Sequence, residues 1–130
     1  MPKSVPHAPE LEPGDLPFSK VVEANGFVFL AGQVGDVPGG HGAVPGGIEP
    51  ETRAMLDNVG RLLRAVGLDY ADVVKSTVYL RDFGDFAAMN AAYVEMMGDH
   101  RPARTVIAVK ELPKPGVLLT MNLTAVTREG

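Results

Sequence analysis

The alternation and periodicity of apolar residues divide the chain into seven elements. Phe18 to Glu23 reads as a strand, and Phe27-Val28-Phe29-Leu30-Ala31 as its antiparallel partner. Asn25-Gly26 between them is a hairpin signal, because both positions tolerate positive φ. Gly32-Gln33 follows, where glycine permits a close backbone approach or a bulge. Glu51 to Val66 has helical spacing: Met55, Leu56, Val59, Leu62, Leu63 and Val66 make one apolar stripe, while Asp57, Arg61 and Arg64 face water. Pro50 and Glu51 suit its first turn and Gly67 its stop. After a connector, Asp69 to Val73, the segment Val74 to Leu80 reads as the third strand. Val74, Ser76, Val78 and Leu80 fall on one face, Lys75, Thr77 and Tyr79 on the other. Asp85 is placed to cap a second helix, Phe86 to Met97, with Phe86, Met89, Tyr93 and Met96 or Met97 as its stripe. Asn90 lies beside that stripe, either as a buried amide that needs partners or at the solvent edge. Thr105 to Val109 reads as the fourth strand, Leu112-Pro113-Lys114-Pro115-Gly116 as a break, and Val117 to Thr127 as the last strand. There Thr120, Asn122 and Thr124 alternate against Leu119, Met121, Leu123 and Ala125. That polar face suits a pocket lining or a subunit contact.

The order β-β-α-β-α-β-β predicts an α+β fold with one mixed sheet and both helices on one face. Each strand–helix–strand step is expected to cross over right-handedly. The second sheet face then needs a cover that the chain has no elements left to supply. A homo-oligomer that hides this face is the expected answer.

Residues 1 to 16 hold four of the eleven prolines and are expected to be an extended or poorly ordered arm on a single domain. Val34 to Gly47 is a long Gly/Pro-rich loop. His41 sits in it without a partner at ligand spacing and reads as solvated, and no Lys-Ser/Thr pair makes the glycines a phosphate loop. The 130 residues suffice for a core, and 45% hydrophobic against 22% charged is a globular balance. The formal charge is -4 and no basic stripe appears, so nucleic acid is a poor partner. Absence of cysteine excludes disulfides, thiol nucleophiles and cysteine-based metal sites, and fits a reducing cytoplasm. Met1 to Pro13 lacks the apolar core of a signal peptide, and no apolar run is long enough to span a bilayer.

The chemistry centres on Arg101-Pro102-Ala103-Arg104-Thr105. Pro102 cannot continue a helix and biases Arg101 toward extended backbone, so Arg104 is expected where a strand begins. A planar, permanently charged guanidinium so held suits a small carboxylate, which it grips through two parallel hydrogen bonds. The competing reading is a surface or interface ion pair.

Several stretches in this order and spacing resemble one family. They are Phe27 to Gln33, Leu56-Asp57-Asn58-Val59, Asp72 to Leu80, Asp85-Phe86-Ala87-Ala88-Met89-Asn90, Arg101 to Thr105 and Leu112-Pro113-Lys114. Together they resemble the RidA/YjgF/YER057c/UK114 family, also known as endoribonuclease L-PSP, over about Leu16 to Val126. The resemblance implies a chorismate-mutase-like fold and a ring-shaped homotrimer with small-molecule sites between subunits. It implies hydrolysis of 2-imino or 2-enamino acids to 2-oxo acids and ammonia, with no metal or cofactor. Arg104 is then the residue that holds the substrate carboxylate. Phe18, Ala31, Gly32, Gln33, Asn90 and Thr105 join it in the substrate-binding set.

Three positions depart from the family pattern: Phe18 stands for a tyrosine, Ala31 for a serine, and Asn122 for a glutamate in the last strand. Asn122 can position water through its amide oxygen but cannot take a proton at neutral pH. Losing a general base typically costs ~10²–10⁴-fold in rate. The expected function is therefore a deaminase, slow or with a shifted substrate, with Arg104 and Asn122 as its catalytic pair. The alternative is a non-catalytic carboxylate-binding protein that uses the same cleft. A ribonuclease reading is disfavoured by the acidic charge and the lack of a His pair; His100 near Arg101 reads as structural or surface-exposed.

Overall fold

Alternate residues of the central strands are apolar, and they build one side of the molecule first. Val28 and Leu30, Val78 and Leu80, and Leu119, Met121 and Leu123 are all buried in a common core. The structure is a computed structural model that describes residues 3–37 and 42–128. The elements run β1 (Val21–Ala24), β2 (Phe27–Gln33), α1 (Ile48–Ala65), β3 (Val73–Leu80), α2 (Phe86–Met97), β4 (Ala103–Ala108) and β5 (Leu119–Val126). The strands form one mixed sheet in the order β1-β2-β5-β3-β4, in which β3 and β4 are parallel and every other pair is antiparallel. Both helices pack on the same face: Met55, Leu56, Val59, Leu62 and Leu63 from α1, and Met89, Tyr93 and Met97 from α2. The predicted α+β class and element order hold. Met97, not Met96, is the fully buried end of the second stripe.

Local chemistry explains where boundaries depart from expectation. Asn25 (φ 53) and Gly26 (φ 82) make the predicted hairpin, but β1 starts at Val21, so Phe18 lies outside it. Pro17 has no N–H to offer a ladder, and pairing ends with the Ala31 N–H donating to the Lys20 carbonyl at 2.9 Å. Helix α1 starts at Ile48 rather than Glu51, because Gly47 (φ 96) makes the turn and Pro50 falls within the first turn, where no N–H is needed. In β3 the register slips between Val73 and Lys75, so Val73 is buried and Val74 is 40% exposed. Val74 therefore does not share the face of Ser76. Asp85 occupies the start of α2 but makes no side-chain cap bond; Asp82 instead accepts from the Gly84 N–H at 2.9 Å.

Two points of the N-terminal arm are fixed to the domain. Pro9–Leu11 forms a short 3-10 turn that buries Leu11 in the core, and Ser4 bridges to Glu23 on the outer edge of β1. The root of the Gly/Pro-rich loop is also fixed. The Asn58 amide donates to the carbonyls of Val34 (2.9 Å) and Asp36 (3.2 Å) and to the Asp36 carboxylate (3.0 Å). Gly35 lies so close to α1 that a Cβ there would stand 2.1 Å from the Glu51 carbonyl oxygen. The predicted solvated His41, with Pro38, Gly39 and Gly40, lies outside the described residues.

The second face of the sheet carries Phe27, Phe29 and Ile107, each more than 40% exposed, beside the half-buried Thr77, Thr120, Asn122 and Thr124. No element among the described residues covers it. Among the described residues no helix is long and apolar enough to cross a membrane.

Candidate active site

Arg104 is the second residue of β4 and pairs with Ser76 of β3, on the helix-bearing side of the sheet. Pro102 delivers the chain into the strand, while the Arg101 guanidinium turns back to the carbonyls of Gly98 and His100 at the end of α2. The Arg104 guanidinium carbon stands 4.7 Å from the centroid of the Tyr93 ring and 5.9 Å from that of Phe86. The Tyr93 hydroxyl is fixed in turn by the buried Ser76 hydroxyl at 2.9 Å. Among the described residues no carboxylate lies within ion-pair distance of Arg104, so the ion-pair reading finds no partner among them. The guanidinium borders a cavity of about 370 Å³ lined by Asn90, Tyr93, Val94, Arg101, Pro102 and Arg104.

A second, larger cavity of about 700 Å³ lies at the far end of the open face. It takes in Phe18, Ala31, Gly32 and Gln33, together with Leu16, Val34, Pro113, Pro115 and Thr120, and its wall is mostly apolar. Lys114 and Asp36, joined by a 2.8 Å ion pair, stand at this cavity too. The expected site residues thus separate. Arg104 and Asn90 share one cavity; Phe18, Ala31, Gly32 and Gln33 share the other. Asn122 and Thr105 line neither, and both pair with Thr77 from opposite sides.

Thr120, which the sequence pattern leaves among the polar residues of the last strand, lines the larger cavity. It alternates with Asn122 on the same face of β5, so periodicity cannot choose between them. The sheet register can. Leu30 pairs with Leu123 and Gln33 with Met121, so a bulge sets Ala31 and Gly32 against Asn122. This brings the Gln33 carbonyl to the Thr120 hydroxyl, which donates to it at 3.0 Å. Gly32 permits the approach: a Cβ there would stand 3.1 Å from the Thr120 Oγ1. The start of β5 is held from the helix side by Glu51, which is 1% exposed and accepts from the Leu118 N–H at 2.5 Å. Burial pushes the Glu51 carboxyl above its ordinary value of 4.5, partly opposed by the N–H groups of Leu118 and Leu119.

His100 belongs to neither cavity. Its Nε2 lies 2.6 Å from the Val73 carbonyl oxygen, which requires that nitrogen to carry the proton and makes the residue a brace for β3. Among the described residues no three His, Cys, Asp or Glu side chains gather as a metal site needs.

A mixed five-stranded sheet with two helices packed on one face defines an α+β protein. A family model described as Endoribonuclease L-PSP matches residues 10–127, and the chain belongs to that family, the RidA/YjgF group its motifs resemble. It is 43% identical over 98 residues to a RutC family protein of Pyrococcus horikoshii, covering 75% of this chain and 78% of that one. It is 39% identical over 100 residues to the 2-iminobutanoate/2-iminopropanoate deaminase of Capra hircus, covering 77% and 73%. Among solved structures, yeast Mmf1 superposes with a TM-score of 0.88 at 30% identity, over 98% of this chain and all of that one. E. coli TdcF with bound serine gives 0.78 at 32% identity, over 85% and 88%.

Proposed function

We propose that the protein is a cofactor-independent deaminase that hydrolyses small 2-imino or 2-enamino acids to 2-oxo acids and ammonia. The observation that carries this is the Arg104 guanidinium, stacked on Tyr93 and bordering a cavity, with no carboxylate among the described residues within ion-pair distance. It is set to receive the carboxylate of a substrate through a bidentate bond. A relative named 2-iminobutanoate/2-iminopropanoate deaminase, and a neighbour that holds serine, support substrates of this size and charge.

One chain cannot complete the reaction site. Three residues of register separate the Ser76–Arg104 row from the Tyr79–Thr120 row, with β3 between β4 and β5. That is about 10 Å along the strands and about 10 Å across them. The two groups also face opposite sides of the sheet. A three- or four-carbon acid does not span this gap. The active form is a homotrimer in which the Arg104 cavity of one subunit meets the Thr120 cavity of the next. The exposed Phe27, Phe29 and Ile107 give the open face its reason to associate.

Within the joined site Arg104 fixes the carboxylate and so the reacting carbon, while the apolar wall from Phe18, Ala31 and Pro113 receives the substrate's side chain. Water adds to the imine carbon, the C=N π pair moves to nitrogen, and the C–N bond then breaks to release ammonia. A second reading, a non-catalytic carboxylate binder, draws on one observation. Among the described residues lining the two cavities the only acid is Asp36, and it is engaged by Lys114 and Asn58. Without a free general base, chemistry must rely on positioning and the imine's own reactivity.

The test is ammonia release from 2-aminoacrylate generated in place by a dehydratase, with pyruvate binding measured beside it. Binding without release selects the binder. Arg104→Ala and Ala31→Trp each silence the deaminase, but mixed subunits regain about a quarter of the activity if sites form between chains. No recovery on mixing sinks the shared site.

A further inference from the structure

We propose that Thr120 orients the attacking water, a positioning role that rests on the deaminase reading above. A hydroxyl has one proton to give and two lone pairs with which to accept. Thr120 has already given its proton to the Gln33 carbonyl at 3.0 Å. What it offers the cavity is acceptor capacity alone, the face a carboxylate would present, without the charge. The wall around it, from Phe18, Ala31, Gly32, Val34 and Pro113, has no polar side-chain atom. Of the other polar groups of that cavity, Lys20 and Lys114 can only donate, Asp36 is held by Lys114, and the Gln33 amide N–H is turned to the Ala31 carbonyl. This leaves the Gln33 Oε1 as the acceptor that competes with Thr120 for a water.

A water in this pocket donates one O–H to the Thr120 Oγ1, which turns its lone pair toward the imine carbon held by Arg104 of the adjoining subunit. The C–O bond forms as the C=N π pair moves to nitrogen. The proton lost by the added water reaches that nitrogen through solvent. A second proton from solvent makes the nitrogen an ammonium, the C–N bond then breaks, ammonia leaves, and loss of the remaining O–H proton returns that proton and completes the 2-oxo acid. Thr120 ends as it began, having held the water and taken no proton. The bulge is part of the device, because it alone carries the Gln33 carbonyl to the hydroxyl and fixes which way that proton points.

Thr120→Val removes the hydroxyl at nearly constant volume, and Thr120→Ser keeps it. The valine variant is expected to lose about tenfold in kcat for ammonia release while KM and pyruvate affinity stay within about twofold. The serine variant is expected to recover most of that loss. Wild-type kcat in Thr120→Val overturns the proposal; so does an equal loss in Thr120→Ser, which marks a packing effect. An acid at the same place, Thr120→Glu, is expected to raise kcat, and Asn122→Glu is not; the reverse result also overturns it. If the wild-type protein binds pyruvate but releases no ammonia, the deaminase reading itself fails and takes this role with it.

Discussion

Arg104 lies over Tyr93, its guanidinium carbon 4.7 Å from the ring centroid. The ring is not free to follow the cation, because Ser76 in the buried face of β3 holds its hydroxyl at 2.9 Å. The aromatic face attracts the charge and keeps the fork in one plane without spending any of its N–H donors. Those donors remain for a ligand.

Arg104→Lys keeps the charge but loses the fork. Pyruvate affinity, measured by calorimetry, is expected to fall about 10- to 100-fold. Tyr93→Leu keeps the arginine but removes its shelf, and a loss of about 0.5–2 kcal/mol in the same measurement is expected. Equal binding by all three proteins would place the carboxylate elsewhere.

The open face makes a separate demand. Phe29 is 43% exposed and its ring centroid stands 6.3 Å from that of Phe27. Phe29→Asp leaves the helix-side core untouched and puts a charge where a neighbouring subunit is proposed to sit. Sedimentation is expected to show a folded monomer with ammonia release lost, since each half-site is then alone. A variant that assembles and turns over like wild type would remove this face from the interface.

Much of this was legible in the chain. The stripe Met55, Leu56, Val59, Leu62, Leu63 and the alternation in Leu119 to Ala125 placed both the helix and the sheet's buried face. What stayed hidden depended on pairing between distant strands. Thr120 and Asn122 are equivalent in a period of two, and the β2 bulge that brings the Gln33 carbonyl to Thr120 is a property of two strands at once. The slip at Val73–Val74 is of the same kind. In the arm, composition reports prolines and not the single Leu11 that reaches the core.

Gly35 is also a place where neighbours decide. A methyl group there would meet the Glu51 carbonyl at 2.1 Å, against backbone that cannot step aside. Gly35→Ala is expected to cost about 1–3 kcal/mol in urea unfolding. Unchanged stability would show that the loop root can move off α1.

Glu51 itself sets a slope with pH. Burial raises its carboxyl above 4.5, so the folded chain holds that proton more tightly than the unfolded one. Its contribution is complete below about 4.5 and is lost as pH rises through the folded value. Asp72 runs the other way: the hydrogen bond from Arg128 lowers its carboxyl below 3.8, and its contribution is lost only as acid protonates it. The stability of Glu51→Gln relative to wild type is therefore expected to improve from about pH 4.5 until the raised folded value is passed and then to level off, read as urea midpoints. A difference that stays flat with pH would leave the carboxyl at its ordinary value.

The ion pair between Lys114 and Asp36 joins the loop after β4 to the root of the loop before α1, with both side chains partly open to water. Such a buckle is sensitive to dissolved electrolyte. Raising ionic strength is expected to weaken it and to thin the long-range pull of Arg104 on an approaching anion. A comparison of ligands made in a single buffer then ranks the buffer along with the protein.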